Sequence, residues 1–293
     1  MITVCDVGPR DGLQNEREIL SPATRAELIT RLARAGVTEI EAVSFVNPRV
    51  VPQMAGAEEV LDLLPHDLPV RLSGLVLSAS GLKRALQTRL AEIHLVLAVS
   101  DTFNYKNARR TAEESAAELE RLMPQALAAG KAATIVLGTS FGCPFEGDVW
   151  PARVLAFARR FIDAGCTKVV YADTTGMANP AQVQRMVTAY DEAVGIDRVP
   201  LGLHFHNTRG LGLANVYAGY AAGVTRFDAS IGGLGGCPFA PKAVGNVCTE
   251  DMVNMFQQMG ATTPCDLDTL IGVARWTEDK VGRRLDGLMM KLD

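Results

Sequence analysis

The chain has 293 residues, with 29 Lys+Arg against 33 Asp+Glu and a formal net charge of -4. Hydrophobic residues make up 48% and charged residues 21%, which excludes a disordered or collagen-like chain. A nucleic-acid binder would carry a basic excess, no polybasic run offers a membrane patch, and no apolar stretch of ~18 residues predicts a membrane span.

Short apolar or β-branched runs alternate with longer segments of helical period along the chain. The strand candidates are Ile2–Asp6, Glu39–Val43, Val70–Leu77, Glu92–Val99, Thr134–Thr139, Lys168–Ala172, Leu201–His206 and Arg226–Ser230. Helices are expected over Pro22–Ala35, Gln53–Leu64, Gly81–Thr88, Glu113–Ala129, Ala152–Ala164, Ala181–Val194 and Leu211–Ala222. Two more follow, near Glu250–Gln258 and Asp266–Val281. Ser21 before Pro22 reads as a helix cap followed by proline at the first helical position. Ala-Gly pairs at 35–36, 129–130, 164–165 and 222–223 fall where helices should stop, because glycine tolerates the left-handed C-terminal cap.

Eight strands, each followed by a helix, predict an α/β fold, a (β/α)8 TIM barrel with additional C-terminal helices. A doubly wound open sheet is the competitor. The barrel is preferred because Asp6, Glu41, Asp173, His204, His206 and Ser230 all fall at or near strand C-termini, which a barrel gathers at one mouth. No linker divides the chain, so one domain is expected over 1–293, with a helical segment from about 250.

The loop after the first strand reads Asp6-Val7-Gly8-Pro9-Arg10-Asp11-Gly12-Leu13-Gln14-Asn15-Glu16. Gly8, Pro9 and Gly12 shape a tight turn, and Arg10, Asp11 and Gln14 are presented by it. An Arg-Asp dipeptide can be a solvated surface pair, but polar groups crowded onto a strand-end loop favour function. Arg10 and Gln14 are the candidate substrate contacts, and Arg10 can stabilise a developing oxyanion.

His204-Phe205-His206 places two imidazoles on one side of a strand, since residues i and i+2 share a face. They are half of the chain's four histidines, and such a pair is half of a metal site. After strand eight, Gly232-Gly233-Leu234-Gly235-Gly236 leads to Cys237. It lacks the ending of a phosphate-binding loop, and reads either as an active-site lid delivering Cys237 or as a plain flexible loop. Asn246, just before a helix, is either a cap or an oxygen ligand. Asp173 either orients a ligand or caps a turn, and Glu41 is similar. Asp11, His204, His206 and Asn246 together offer two nitrogen and two oxygen donors. That mixture favours Mg²⁺ or Mn²⁺, with Zn²⁺, Co²⁺ or Fe²⁺ as alternatives. The cysteines at 5, 143, 166, 237, 248 and 265 form no CxxC pair. They suit neither a disulfide framework nor a zinc finger, and point to a reducing, cytoplasmic setting.

These motifs resemble the 3-hydroxy-3-methylglutaryl-CoA lyase family, within a barrel superfamily of metal-dependent lyases and Claisen-type synthases. The resemblance runs through Val7–Glu16, Ser44-Phe45-Val46, Val51-Pro52-Gln53-Met54, Gly142–Gly147, the His-x-His segment, Gly233–Pro238, Gly245-Asn246 and Thr249-Glu250-Asp251. It implies retro-Claisen cleavage of 3-hydroxy-3-methylglutaryl-CoA to acetyl-CoA and acetoacetate. It further implies a divalent cation on Asp11, His204, His206 and Asn246, with Glu41 supporting that shell. Arg10 would face the thioester oxygen, Cys237 would help protonate the carbanion, and Asp173 would lie nearby. The base is implied to be Asp11 or a histidine such as His204. The partners implied are an acyl-CoA substrate and further copies of the chain, as a homodimer or higher homo-oligomer. Asn207 and Thr175 depart from the family pattern, which has Asp and Ile there. They keep a related 3-hydroxyacyl-CoA open, such as citramalyl-CoA giving pyruvate and acetyl-CoA, and, further off, a Claisen-type synthase.

Overall fold

The computed structural model describes residues 1–236 and 245–292. Its strands are β1 (Thr3–Asp6), β2 (Glu39–Ser44), β3 (Arg71–Val76), β4 (Glu92–Ala98), β5 (Ala132–Gly138), β6 (Lys168–Asp173), β7 (Leu201–Phe205) and β8 (Arg226–Ala229). The helices are α1 (Pro22–Arg34), α2 (Ala57–Asp62), α3 (Ala79–Ala85), α4 (Asp101–Ala108), α5 (Ala112–Ala128), α6 (Pro151–Asp163), α7 (Pro180–Ala193), α8 (Gly212–Ala221), α9 (Thr249–Gln258) and α10 (Leu267–Val281). The sheet runs in the order β1 to β8 and closes, so the fold is the (β/α)8 barrel. Every expected strand forms, with ends shifted by two residues at most.

Two of the helical expectations change. The segment expected as one helix over 53–64 is a 3₁₀ turn, Pro52–Met54, and then α2. Between them Gly56 takes a left-handed φ of 70°, which interrupts a continuous helix. Helix α4 was not expected at all. Ser100 caps it by accepting the Phe103 N–H, so a local hydrogen bond rather than an apolar stripe starts it. The caps read from sequence form as expected. The Ser21 side chain accepts the Thr24 N–H, and Gly36, Gly130, Gly165 and Gly223 all have positive φ.

The chain divides into two compact units, Met1–Gly74 with Arg226–Asp293, and Leu75–Thr225. In the first, β1 pairs in parallel with β2, Cys5 opposite Glu39, and with β8, Val4 opposite Phe227. The C-terminal helices pack onto this unit. Ile2 donates its N–H to the Thr262 carbonyl, Asp266 donates to Ala35, and Asp286 and Gly287 both donate to Gly232. Arg283 reaches Glu16 at 2.9 and 2.5 Å. The segment from about 250 therefore braces both the β1 loop and the glycine-rich turn.

In the second unit, β4 to β7 pair in parallel, with Leu95 opposite Ile135, Leu137 opposite Tyr171 and Ala172 opposite His204. These strands are buried along nearly their whole length, which explains their near-continuous apolar sequence. Both units also bury charge in pairs, as a low-dielectric interior requires. Arg226 bonds Glu39 and Asp228, each at 2.8 Å, in the first. In the second, Glu92 sits beside Thr134, with His94 at 3.5 Å and Lys168 at 3.4 Å. Burial alone would raise the Glu92 pKa, but His94, Lys168 and Thr134 outweigh it and hold it well below the usual carboxylate range.

Candidate active site

In the first unit, β1 ends at Asp6 and the chain enters a π-type turn over Gly8–Gly12, closed by the Gly12 N–H on the Val7 carbonyl, 3.1 Å. Single π turns of this kind recur at functional sites. The turn is pressed against the start of the glycine-rich segment. A Cβ on Gly12 would lie 2.7 Å from Leu234 Cβ and 2.9 Å from Ser230 Oγ, so no larger residue fits there.

The turn delivers Arg10 and Asp11. Arg10 is not the half of a solvated surface pair, since only 8% of it is exposed. Its Nε donates to Glu41 Oε2 at 2.5 Å, its Nη2 is ion-paired to the same carboxylate, and its Nη1 donates to Asp11 Oδ1 at 2.6 Å. Three of its five N–H groups are thus used, and two make no hydrogen bond among the described residues. Burial works against its charge, but Glu41 and Asp11 outweigh it and raise its pKa. Glu41, 1% exposed at the end of β2, acts through Arg10 by fixing the guanidinium plane.

Asp11 collects donors from three directions. Gln14 Nε2 joins Arg10 on Oδ1 at 3.0 Å, and Asn246 Nδ2 reaches Oδ2 at 2.8 Å. Asn246 Nδ2 also donates to the Leu234 carbonyl at 3.0 Å. Asn246 is therefore not a helix cap. Cys248 occupies the position before α9 and makes no side-chain cap there. With Nδ2 committed, Asn246 Oδ1 is buried and has no hydrogen-bond partner. The glycines around it allow the approach, since a Cβ on Gly235 would lie 2.6 Å from Asn246 Nδ2.

In the second unit, His204 near the end of β7 and His206 just beyond it are buried, with ring centroids 5.1 Å apart and an interplanar angle of 51°. The i, i+2 geometry read from sequence forms. Asp173 ends β6, opposite Phe205 of β7. Its Oδ1 accepts the Met177 N–H at 2.7 Å and its Oδ2 the Ala178 N–H at 3.1 Å, so of the two sequence readings it performs the turn cap. Burial raises its pKa to about 6, against those N–H donors and the nearby His204 and Arg209. Arg209 donates through Nη1 to the carbonyls of Thr175 and Gly176 at 3.0 and 2.7 Å. Asn207 accepts the Gly212 N–H at 3.0 Å.

Cys237, expected at the lid, lies outside the described residues. The five described cysteines, Cys5, Cys143, Cys166, Cys248 and Cys265, are buried free thiols. Burial pushes the Cys166 thiol up to about 12 and raises Cys5, Cys248 and Cys265 as well, which makes them poor nucleophiles. Sequence reasoning missed two features of this region. One is the direct bond from Gln14 to Asp11. Their spacing of three residues on a tight turn was the available signal. The other is Thr139, buried at the end of β5 with φ 56°. Its N–H is held by Thr174 Oγ1 at 3.0 Å, and nothing in its residue type announces that strain.

A family model described as HMGL-like matches residues 1–276. The chain is 44% identical to the (R)-citramalyl-CoA lyase of Chloroflexus aurantiacus, over 99% of this chain and 94% of that protein. It is 40% identical to the hydroxymethylglutaryl-CoA lyase of Pseudomonas mevalonii, over 93% of this chain and 90% of that one. Among solved structures it superposes with a TM-score of 0.94 on an HMG-CoA lyase from Acinetobacter baumannii in complex with coenzyme A and 3-methylmalate. That match has 40% identity and covers 99% of this chain and 94% of the other. Fold and relatives together define a carbon–carbon lyase on a (β/α)8 barrel. The chain belongs to the HMGL-like family.

Proposed function

We propose that the protein cleaves 3-hydroxy-3-methylglutaryl-CoA to acetyl-CoA and acetoacetate by a divalent-cation-dependent retro-Claisen reaction. Residues 1–293 act as a single catalytic domain in this reading, in line with a family match that runs unbroken through 1–276. The observation that carries the reading is the buried Asn246 Oδ1 without a hydrogen-bond partner. A buried carbonyl oxygen left unpaired costs ~1–3 kcal/mol unless a ligand takes it. Hard oxygen donors from Asp11 and Asn246, with the imidazoles of His204 and His206, suit Mg²⁺ or Mn²⁺ held by all four. Bound there, such an ion supplies the Lewis acidity that lowers the pKa of the substrate's C3 hydroxyl.

The chain's own residues do the rest. Asp11 or His204 removes the C3 hydroxyl proton, and the electron pair forms the C3 ketone as the C2–C3 bond breaks. The pair from that bond passes to C2 and the thioester oxygen, where the two uncommitted N–H groups of Arg10 meet the growing charge. Protonation of C2, the role assigned to Cys237, completes acetyl-CoA. Gln14, expected as a substrate contact, donates to Asp11, and Asp173 shapes the loop beside His204. A homodimer or higher homo-oligomer and a cytoplasmic setting go with this reading, the latter supported by the free buried thiols and by the lack, among the described residues, of a helix able to cross a membrane.

The second reading is citramalyl-CoA, cleaved by the same steps to pyruvate and acetyl-CoA, and the 44% identity to a citramalyl-CoA lyase favours it. The two substrates differ by one methylene between C3 and the carboxylate, which a binding pocket distinguishes by ~10–200-fold. Assaying kcat/KM on both thioesters, with and without chelator, tests the proposal. The expected result is a preference for the hydroxymethylglutaryl thioester that vanishes on chelation and returns with Mg²⁺ or Mn²⁺. The opposite preference transfers the proposal to citramalyl-CoA, and full turnover in chelator overturns the cation.

A further inference from the structure

We propose that Gln14 is a positioning residue that sets the cation affinity of the site by holding the Asp11 carboxylate. The inference rests on the cation reading above. Gln14 lies on the short 3₁₀ turn Leu13–Asn15 that directly follows the π turn, so its side chain returns over Asp11 three residues earlier. Its Nε2 donates to Asp11 Oδ1 at 3.0 Å. Arg10 Nη1 donates to the same oxygen at 2.6 Å, while Asn246 Nδ2 holds the other at 2.8 Å.

Two donors on one oxygen and a third on the other leave the carboxylate no freedom to rotate about its terminal torsion, which is otherwise broad and soft. Arg10 cannot do this alone. Its Nε and Nη2 are tied to Glu41, so its place is set by β2 rather than by Asp11. Asn246 must itself present Oδ1, and its amide is oriented by the other carboxylate oxygen, Asp11 Oδ2, together with the Leu234 carbonyl. Gln14 is thus the donor with no other duty in the network, and losing it loosens Asp11 and, through Asp11, Asn246. Outer partners of this kind are worth 10–100-fold in metal affinity or activity.

The test titrates Mn²⁺ into chelator-treated full-length protein, following free Mn²⁺ by electron paramagnetic resonance with no substrate present. Gln14→Ala, and Gln14→Met, which keeps the length but not the hydrogen bond, are compared with the unaltered chain. Both are expected to bind Mn²⁺ ~10–100-fold more weakly. Their metal-free melting temperatures should match the unaltered chain's, and their KM for acyl-CoA at saturating Mn²⁺ should be unchanged. Equal Mn²⁺ affinity in all three proteins overturns the positioning role alone, and so does a raised KM at unchanged affinity, which marks a direct substrate contact. A lowered metal-free melting point that accounts for the weaker binding also overturns it. An unaltered chain that fails to bind Mn²⁺ overturns the cation reading and the positioning role together.

Discussion

The two compact units hold their clustered polar side chains in different ways. The first assembles its polar cluster from loop residues far apart in the chain, with Arg10, Asp11 and Gln14 on one turn, Glu41 at a strand end and Asn246 beyond the glycine-rich segment. Each member is hydrogen-bonded to another member, so the cluster is held by mutual hydrogen bonding. The second presents two imidazoles from a single buried strand end, where the strand's period alone puts them side by side. Its carboxylate, Asp173, is spent on backbone N–H groups. A polar network can therefore be held in place by side chains holding one another or by the backbone holding each, and the two should fail differently when cut.

The largest effect is expected in the first unit. If Arg10 meets the developing thioester enolate as proposed, Arg10→Ala should lower kcat by ~10²–10³-fold, with little change in KM. It also strands the buried Glu41. The double variant Arg10→Ala/Glu41→Gln should therefore recover melting temperature but not kcat, and recovery of turnover would show that Arg10 serves only to neutralise Glu41.

In the second unit, Asp173→Ala leaves the N–H groups of Met177 and Ala178 without acceptors and should cost ~1–3 kcal/mol of stability, read by denaturant unfolding, with a smaller loss of kcat than in Arg10→Ala. The variant that sharpens this is Asp173→Asn. Asp173→Asn keeps one of the two acceptors, so a turn cap should lose part of the stability that Asp173→Ala loses and keep most of its kcat, whereas a proton-transfer group should lose kcat. A hundredfold fall in kcat in Asp173→Asn, with a stability loss smaller than that of Asp173→Ala, would move Asp173 into the chemistry.

The smallest effect concerns what braces the first unit. Glu250 is fully buried on α9, accepts the Gly232 N–H at 3.0 Å, and burial raises its pKa to about 8. A raised pKa means the folded chain holds the proton more tightly than the unfolded one. Its stabilising contribution is complete below the ordinary value of 4.5 and is lost as pH rises through about 8. Glu250→Gln, which has no proton to lose, should flatten the decline of melting temperature between about pH 4.5 and 8. An unchanged slope would show that Glu250 does not titrate in that window.

Much of this fold was legible because its signals are local. Strand runs, the Ser21-Pro22 cap and the recurring Ala-Gly stops each depend on a few adjacent residues, and they formed nearly where expected. Helix α4 escaped because Phe103, Tyr105 and Ala108 trace no apolar stripe. It is anchored through Asn104, whose side chain accepts from Ala98 and donates to Arg110, Thr111 and Ser115. In the site, the residue types and the shared face of the histidines were readable, and so was the choice of Arg10 and Asp11 over a surface pair. The choices left open in the sequence were decided by partners. Asn246 is an amide bonded through its nitrogen with a buried oxygen that has no hydrogen-bond partner, Asp173 a turn cap, and Gln14 a partner of Asp11.

The sequence by itself determined the alternation of strand and helix and the stops and starts of most elements, because backbone preference and side-chain type act over a few residues. The tertiary structure alone decided what the polar side chains are bonded to. Asp11 and Asn246 are 235 positions apart, and whether an amide caps a helix or offers its oxygen to a ligand depends on which acceptors reach its nitrogen through space, a relation that no local pattern encodes.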